Sequence, residues 1–173
     1  MLLSCKKEPE NTIENDVITT IKLSLKDTTT GTPVVDYVFK DLDGDGGNPP
    51  VTDTLIMHPD TYYEIQLDLT NERQTPAQSV TAEINTNKEE HQLFYKPAPS
   101  LSLINILYKD FDANGKPLGL KMSFNTQNAP VSGTVEIILR HFPNKSGANV
   151  STGDITNARG DSEMEIDFPF KIE

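Results

Sequence analysis

The chain has 173 residues, room for one ordinary domain or two small ones, and its 35% hydrophobic content and mean hydropathy of −0.45 are polar for a folded chain. A formal charge of −11, with no basic cluster after Lys6-Lys7, repels a phosphate backbone and makes nucleic acid a poor partner. One cysteine, Cys5, rules out an internal disulfide framework.

In chain order, "LLSC" comes first: aliphatic Leu2 and Leu3, small Ser4, then Cys5, the pattern of a bacterial lipobox whose cysteine is lipidated. A basic region and an apolar run precede such a motif in complete signals. Here only Met1 does, so residues 1–4 are expected to be the remnant of a signal peptide whose start is missing. Residues 5–16, charged and without periodicity, are expected to form a flexible tether between lipid and folded body. No later apolar run approaches the ~20 residues that span a bilayer, so the acyl chains alone would be the membrane anchor.

From Val17 onward apolar residues recur every second position, which places them on one face of a strand. Ile21, Leu23 and Leu25 are the first such row, and Tyr63, Ile65, Leu67 and Leu69 the second. The same period marks "SVTAEI" (Val80, Ala82, Ile84), "LGLKMSF", "TVEIIL" and "EMEIDFPFKI", with Gly, Pro, Asn and Asp clusters between them. This predicts an all-β fold, an antiparallel sandwich of nine or ten strands in the style of an immunoglobulin domain, formed by residues 17–173. A division into two small β-domains, 17–97 and 98–173, is the alternative. One short helical turn, capped by Asp154, fits "DITNA".

The loop "KDLDGDGGNPP" sets Asp41, Asp43 and Asp45 at alternate positions with glycines between and after them. Calcium takes 6–8 oxygen ligands, and alternate carboxylates can fold around it where glycine permits the bend. Asp53 stands close enough in sequence to join them. Strands flank the loop and Thr52 occupies the place of the final bidentate glutamate, so it is not an EF-hand. An echo, "YKDFDANG" against "FKDLDGDG", repeats the spacing with Asp110, Asp112 and Asn114, where "DANG" is also ordinary hairpin chemistry. Calcium in these loops would brace strand connections, not catalyse.

His58, before Pro59, fits an ordinary turn. His91 shares strand parity with Leu93 and Tyr95, and His141 with Val135, Ile137 and Leu139, so both close an inward-facing row. Two such imidazoles are candidate ligands for a transition metal or a haem iron, with Glu89 or Glu90 nearby, and otherwise hydrogen-bonded histidines at the core's edge. No nucleophile elbow, HExxH, P-loop or dinucleotide-binding glycine pattern occurs, so no enzyme activity is expected. "RGD" at Arg159 to Asp161 is a tripeptide short enough to arise by chance.

Taken together, "LLSCKK", "KDLDGDGGN", "EHQLFY", "DANGKPLGL", "LRHFPN" and "GDITNARG" resemble, in order and over nearly the whole chain, a group of small lipoproteins of Gram-negative bacteria. Members often carry the label "type 1 periplasmic binding fold" and are associated with TonB-dependent receptors of the outer membrane. The label implies strands alternating with helices, whereas the patterning here implies strands alone. The resemblance implies an outer-membrane lipoprotein that helps a receptor capture or deliver cargo, and it brings no catalytic residues. The expected function is therefore a calcium-braced binding or accessory module for a TonB-dependent transport system. The alternative is a haem or transition-metal carrier using His91 and His141.

Overall fold

The computed structural model describes residues 17–44 and 46–173. The lipobox-like residues, Cys5 and the tether lie outside them, as does Asp45. Among the described residues, eleven strands form two sheets. The first contains β1 (Thr20–Asp27), β2 (Val35–Lys40), β3 (Val51–Thr52), β5 (Tyr62–Asn71), β6 (Gln78–Ser79), β8 (Ile104–Tyr108) and β9 (Lys121–Thr126), in the order β3-β2-β1-β5-β9-β8 with β6 also on β5. The second runs β4-β11-β10-β7, from β4 (Leu55–Met57), β11 (Asp161–Ile172), β10 (Val131–His141) and β7 (His91–Ala98). Every pairing is antiparallel except β4 with β11. The all-β sandwich that period 2 predicts is the fold, with eleven strands where nine or ten were expected, two of them, β3 and β6, only two residues long.

Period 2 works because the sheets bury one face each against the other. Ile21, Leu23 and Leu25 of β1, and Tyr63, Ile65, Leu67 and Leu69 of β5, point inward with 4% exposure or less. They meet Leu93, Tyr95, Val135, Ile137, Leu139, Phe168 and Phe170 of the second sheet in one core cluster that runs from Ile21 to Ile172. Full burial of each such side chain contributes about 1.5–3 kcal/mol. Tyr95 and Phe124 make an edge contact across the layers at 6.0 Å between ring centroids. Both sheets draw strands from both sides of residue 97.

"SVTAEI" corrects the strand expectation: Val80–Thr86 is an α-helix, α1. Val80 and Ile84 are both buried, and a spacing of four suits a helix face as well as a strand face. A strand would also have to bury Ala82, which is exposed. Ser79 decides the outcome, because its hydroxyl accepts from the Ala82 N–H at 3.2 Å and caps the helix. The expected turn at "DITNA" is a 3-10 turn, Ile155–Asn157, capped by Asp154 through the Thr156 N–H.

The outer face of the second sheet is covered by the segment 144–158. Phe94 and Ile138 pack there against Val150, Ala158 and Ile155.

Candidate metal centre

His91 begins β7 and His141 ends β10, and the two are direct partners in the antiparallel register. Opposed residues share a face, so their strand parity brings both imidazoles to the inward side at one end of the sheet. The rings stack 4.7 Å apart and 3° from parallel.

The third member comes from β11 through an irregularity. Leu139 pairs with Met164 and Arg140 with Ser162, which leaves Glu163 as an extra residue with no partner position on β10. Such a bulge bends the strand and re-aims the side chain. Glu163 therefore turns inward beside Met164, where simple alternation would set it outward with Glu165 and Asp167. Its carboxylate reaches His141 Nδ1 at 2.9 Å and His91 Nε2 at 3.5 Å. The His91 and Glu163 side chains are 5% and 4% exposed.

The outer nitrogens of both rings face acceptors. His91 Nδ1 lies 2.9 Å from the Asn87 carbonyl, which only accepts, so Nδ1 carries the hydrogen of that bond. His141 Nε2 lies 3.8 Å from a Glu90 carboxylate oxygen. Phe142 stacks on the other face of His141 at 4.0 Å. Gly160 supports that turn at φ +72°, and a Cβ there would stand 2.3 Å from the His141 carbonyl oxygen.

With Nδ1 turned to the Asn87 carbonyl, His91 sets Nε2 3.5 Å from a carboxylate oxygen of Glu163 between two buried side chains, a separation that a proton or a metal ion can bridge. Among the described residues, His91, His141 and Glu163 are the one group of three or more His, Cys, Asp or Glu side chains placed to share an ion, their ligand atoms lying within 4.8 Å of one another.

Of the expected glutamate neighbours, Glu90 is here, while Glu89 instead accepts from the Ala113 N–H at 3.4 Å. Haem fits the geometry poorly, because two imidazoles on one haem iron take opposite faces of the macrocycle and these are stacked on each other. His58 sits at its turn, its Nδ1 3.1 Å from the Glu173 carbonyl.

The aspartate loops have other partners. Asp41 accepts from the Gly44 N–H at 2.7 Å, and Asp43 from the Asn48 N–H at 2.9 Å and the Asn48 side-chain amide at 2.7 Å. The two bonds from Asn48 hold the Asp43 carboxyl below its ordinary range. Arg73 lies against this loop, its Nε donating to the Leu42 carbonyl at 2.7 Å. Asp53 is turned to β2, where it accepts from the Val38 N–H at 2.8 Å.

In the echo, Asp110 accepts from the Gly119 and Leu120 N–H groups at 2.9 and 3.0 Å. Asp112 accepts from Asn114 and Lys116 N–H, both at 2.9 Å, and from Lys145 Nζ at 3.1 Å. The cation in contact with this loop is the Lys145 ammonium. Asn114 and Gly115, the latter at φ +70°, make the turn that their residue types suggest.

No protein-family model, curated protein or solved structure matches the chain.

Proposed function

We propose that this protein binds one divalent transition-metal ion, of the zinc class, through His91, His141 and Glu163. The observation that carries the reading is the pairing of each imidazole's inner nitrogen with one buried carboxylate while its outer nitrogen faces an acceptor. Metal-bound histidines are commonly held by a carbonyl or carboxylate on the far nitrogen, as His91 is by the Asn87 carbonyl at 2.9 Å; the Glu90 carboxylate stands 3.8 Å from His141, just beyond a hydrogen bond.

Two nitrogens and one oxygen suit Zn²⁺, Co²⁺, Ni²⁺ or Cu²⁺, whereas calcium takes oxygens and Cu⁺ prefers sulfur. Tetrahedral bonds of about 2.0–2.1 Å set ligand atoms about 3.3–3.4 Å apart. The nitrogen-to-oxygen distances lie near that spacing, with one carboxylate oxygen of Glu163 for each ring: 2.9 Å from His141 Nδ1 to Oε1 and 3.5 Å from His91 Nε2 to Oε2. Coordination also requires one ring to turn, because the in-plane lone pairs of parallel rings do not converge on a point.

The setting proposed for this metal-binding sandwich is the bacterial envelope, anchored by lipid on Cys5, with an outer-membrane receptor as the partner to or from which the ion passes. "LLSC", the polar residues 5–16 and the family resemblance support it. A calcium ion in the first aspartate loop would compete with Gly44, Asn48 and the nearby Arg73 for the oxygens it needs.

Calorimetric titration of the metal-stripped protein with Zn²⁺ tests the site. One ion per chain is expected, with binding lost in Glu163→Gln and His91→Ala. Equal heats for wild type and both variants would leave His91, His141 and Glu163 as a buried polar cluster that ties three strand ends together.

A further inference from the structure

We infer that Glu90 is a positioning residue that fixes which nitrogen of His141 meets the metal, so that the site is mixed, Nε2 of His91 with Nδ1 of His141. The inference rests on the metal reading above and names a residue that does not itself touch the ion. A histidine offers either nitrogen, and the choice follows from what holds the other. For His91 the choice is made by the Asn87 carbonyl, which takes Nδ1–H and leaves Nε2 facing Glu163.

His141 is mounted the other way round. Its Nδ1 is the nitrogen 2.9 Å from Glu163, and its Nε2 points to Glu90 at 3.8 Å. For Nδ1 to present a bare lone pair to a metal, Nε2 must carry the hydrogen, and an acceptor on that side favours this tautomer. Glu90 is the acceptor the structure supplies. It closes the 3-10 turn Lys88–Glu90 directly before β7, and its carbonyl accepts from the Phe142 N–H at 2.7 Å, which ties its main chain to the residue following His141. Its side chain is half-exposed and stands a few tenths of an ångström beyond hydrogen-bond distance of Nε2, which a small side-chain rotation would close. Phe142, stacked on the ring, restrains His141 from swinging out. A carboxylate on the outer N–H also makes the metal-bound nitrogen a stronger donor.

The test is histidine ¹⁵N NMR of the Zn²⁺-loaded wild type together with Zn²⁺ affinities of Glu90→Leu, Glu90→Gln and Glu163→Gln, whose folding is checked by circular dichroism. Metal-shifted resonances are expected for Nε2 of His91 and Nδ1 of His141, with the hydrogen of His141 on Nε2. Glu90→Leu is expected to weaken Zn²⁺ binding about tenfold or more. Glu90→Gln keeps an acceptor oxygen and is expected to recover most of that loss. Coordination of His141 through Nε2, or wild-type affinity in Glu90→Leu, overturns the assignment while leaving the metal site standing. A wild type that takes up no more Zn²⁺ than Glu163→Gln overturns both.

Discussion

Lys145 Nζ donates to the Asp112 carboxylate at 3.1 Å and to the Lys88 carbonyl at 2.5 Å, and the two charged side chains are only 6% and 2% exposed. The pair joins the segment that covers the second sheet to the turn between β8 and β9, and to the short helical turn that leads into His91. Breaking a buried pair strands the remaining charge, at a cost of about 3–5 kcal/mol, whereas replacing both members by apolar groups costs far less. Lys145→Met is therefore expected to lose stability on that scale in urea unfolding. The double variant with Asp112→Asn, which removes the stranded charge and keeps an oxygen for the Asn114 and Lys116 N–H groups, should recover much of it. A loss under about 1 kcal/mol for Lys145→Met would class the pair with exposed ones.

The same carboxyl sets an acid limit. Burial pushes Asp112 up, but the Lys116 N–H, Lys145 and the Asn114 N–H outweigh burial and hold it below its ordinary range. Asp27 is also held low, by the Thr30 hydroxyl first, then by the Thr30 and Thr29 N–H groups against burial. A carboxyl whose folded pKa lies below its unfolded value favours folding at pH values above the unfolded pKa. That contribution disappears as pH falls through the folded pKa, here below about 4. Unfolding free energies measured from pH 5 downward should therefore fall less steeply in Asp27→Asn and Asp112→Asn than in wild type. Unchanged slopes would show that neither carboxyl is held low.

Metal should show as heat resistance. An ion that binds only the folded state at about 100 times its Kd contributes roughly 2.7 kcal/mol. For a chain of this size that raises Tm by on the order of 5–10 °C. Zn²⁺ is expected to give such a rise over chelator in wild type and none in His91→Ala. Millimolar calcium is expected to give less, since Asp41 and Asp43 already accept from Gly44 and Asn48. A calcium rise that survives His91→Ala but vanishes in Asp43→Ala would return the ion to the aspartate loop.

Gly160 links backbone to site. A side chain at φ +72° is strained, and its Cβ would meet the His141 and Phe142 backbone at 2.3 to 3.0 Å. Gly160→Ala is expected to cost about 1–3 kcal/mol in stability and to weaken Zn²⁺ binding by moving Phe142 off His141. Wild-type values for both quantities would show that the turn yields without disturbing the ring stack.

Period 2 made the sandwich legible, because rows such as Ile21–Leu23–Leu25 are buried by the same alternation that spaces them. It misled at Val80 and Ile84, whose spacing suits either element until the Ser79 cap is weighed. Two of the three candidate ligands were legible too. Parity alone turns His91 and His141 inward, and antiparallel pairing then sets them face to face. Glu163 was not, since it becomes an inward residue only through a bulge, and alternation counts it among the outward acids of β11. The aspartate loops show a different limit. Their spacing is local, but the cations that meet them, Arg73 and Lys145, come from other parts of the chain, and no spacing rule within the loop reveals them.

If the proposed site takes an ion, the position of β11 in the second sheet governs when it can bind. This strand follows every other described strand in the chain, yet it lies between β10 and β4 and carries Glu163. A growing or translocating chain thus displays both histidines well before the carboxylate that completes the set. Contacts of such long sequence separation are the slow ones to form. Ion capture at the proposed site would then follow the docking of β11 on β10, so that a partly formed sheet lacking this strand would have both imidazoles but not the carboxylate between them.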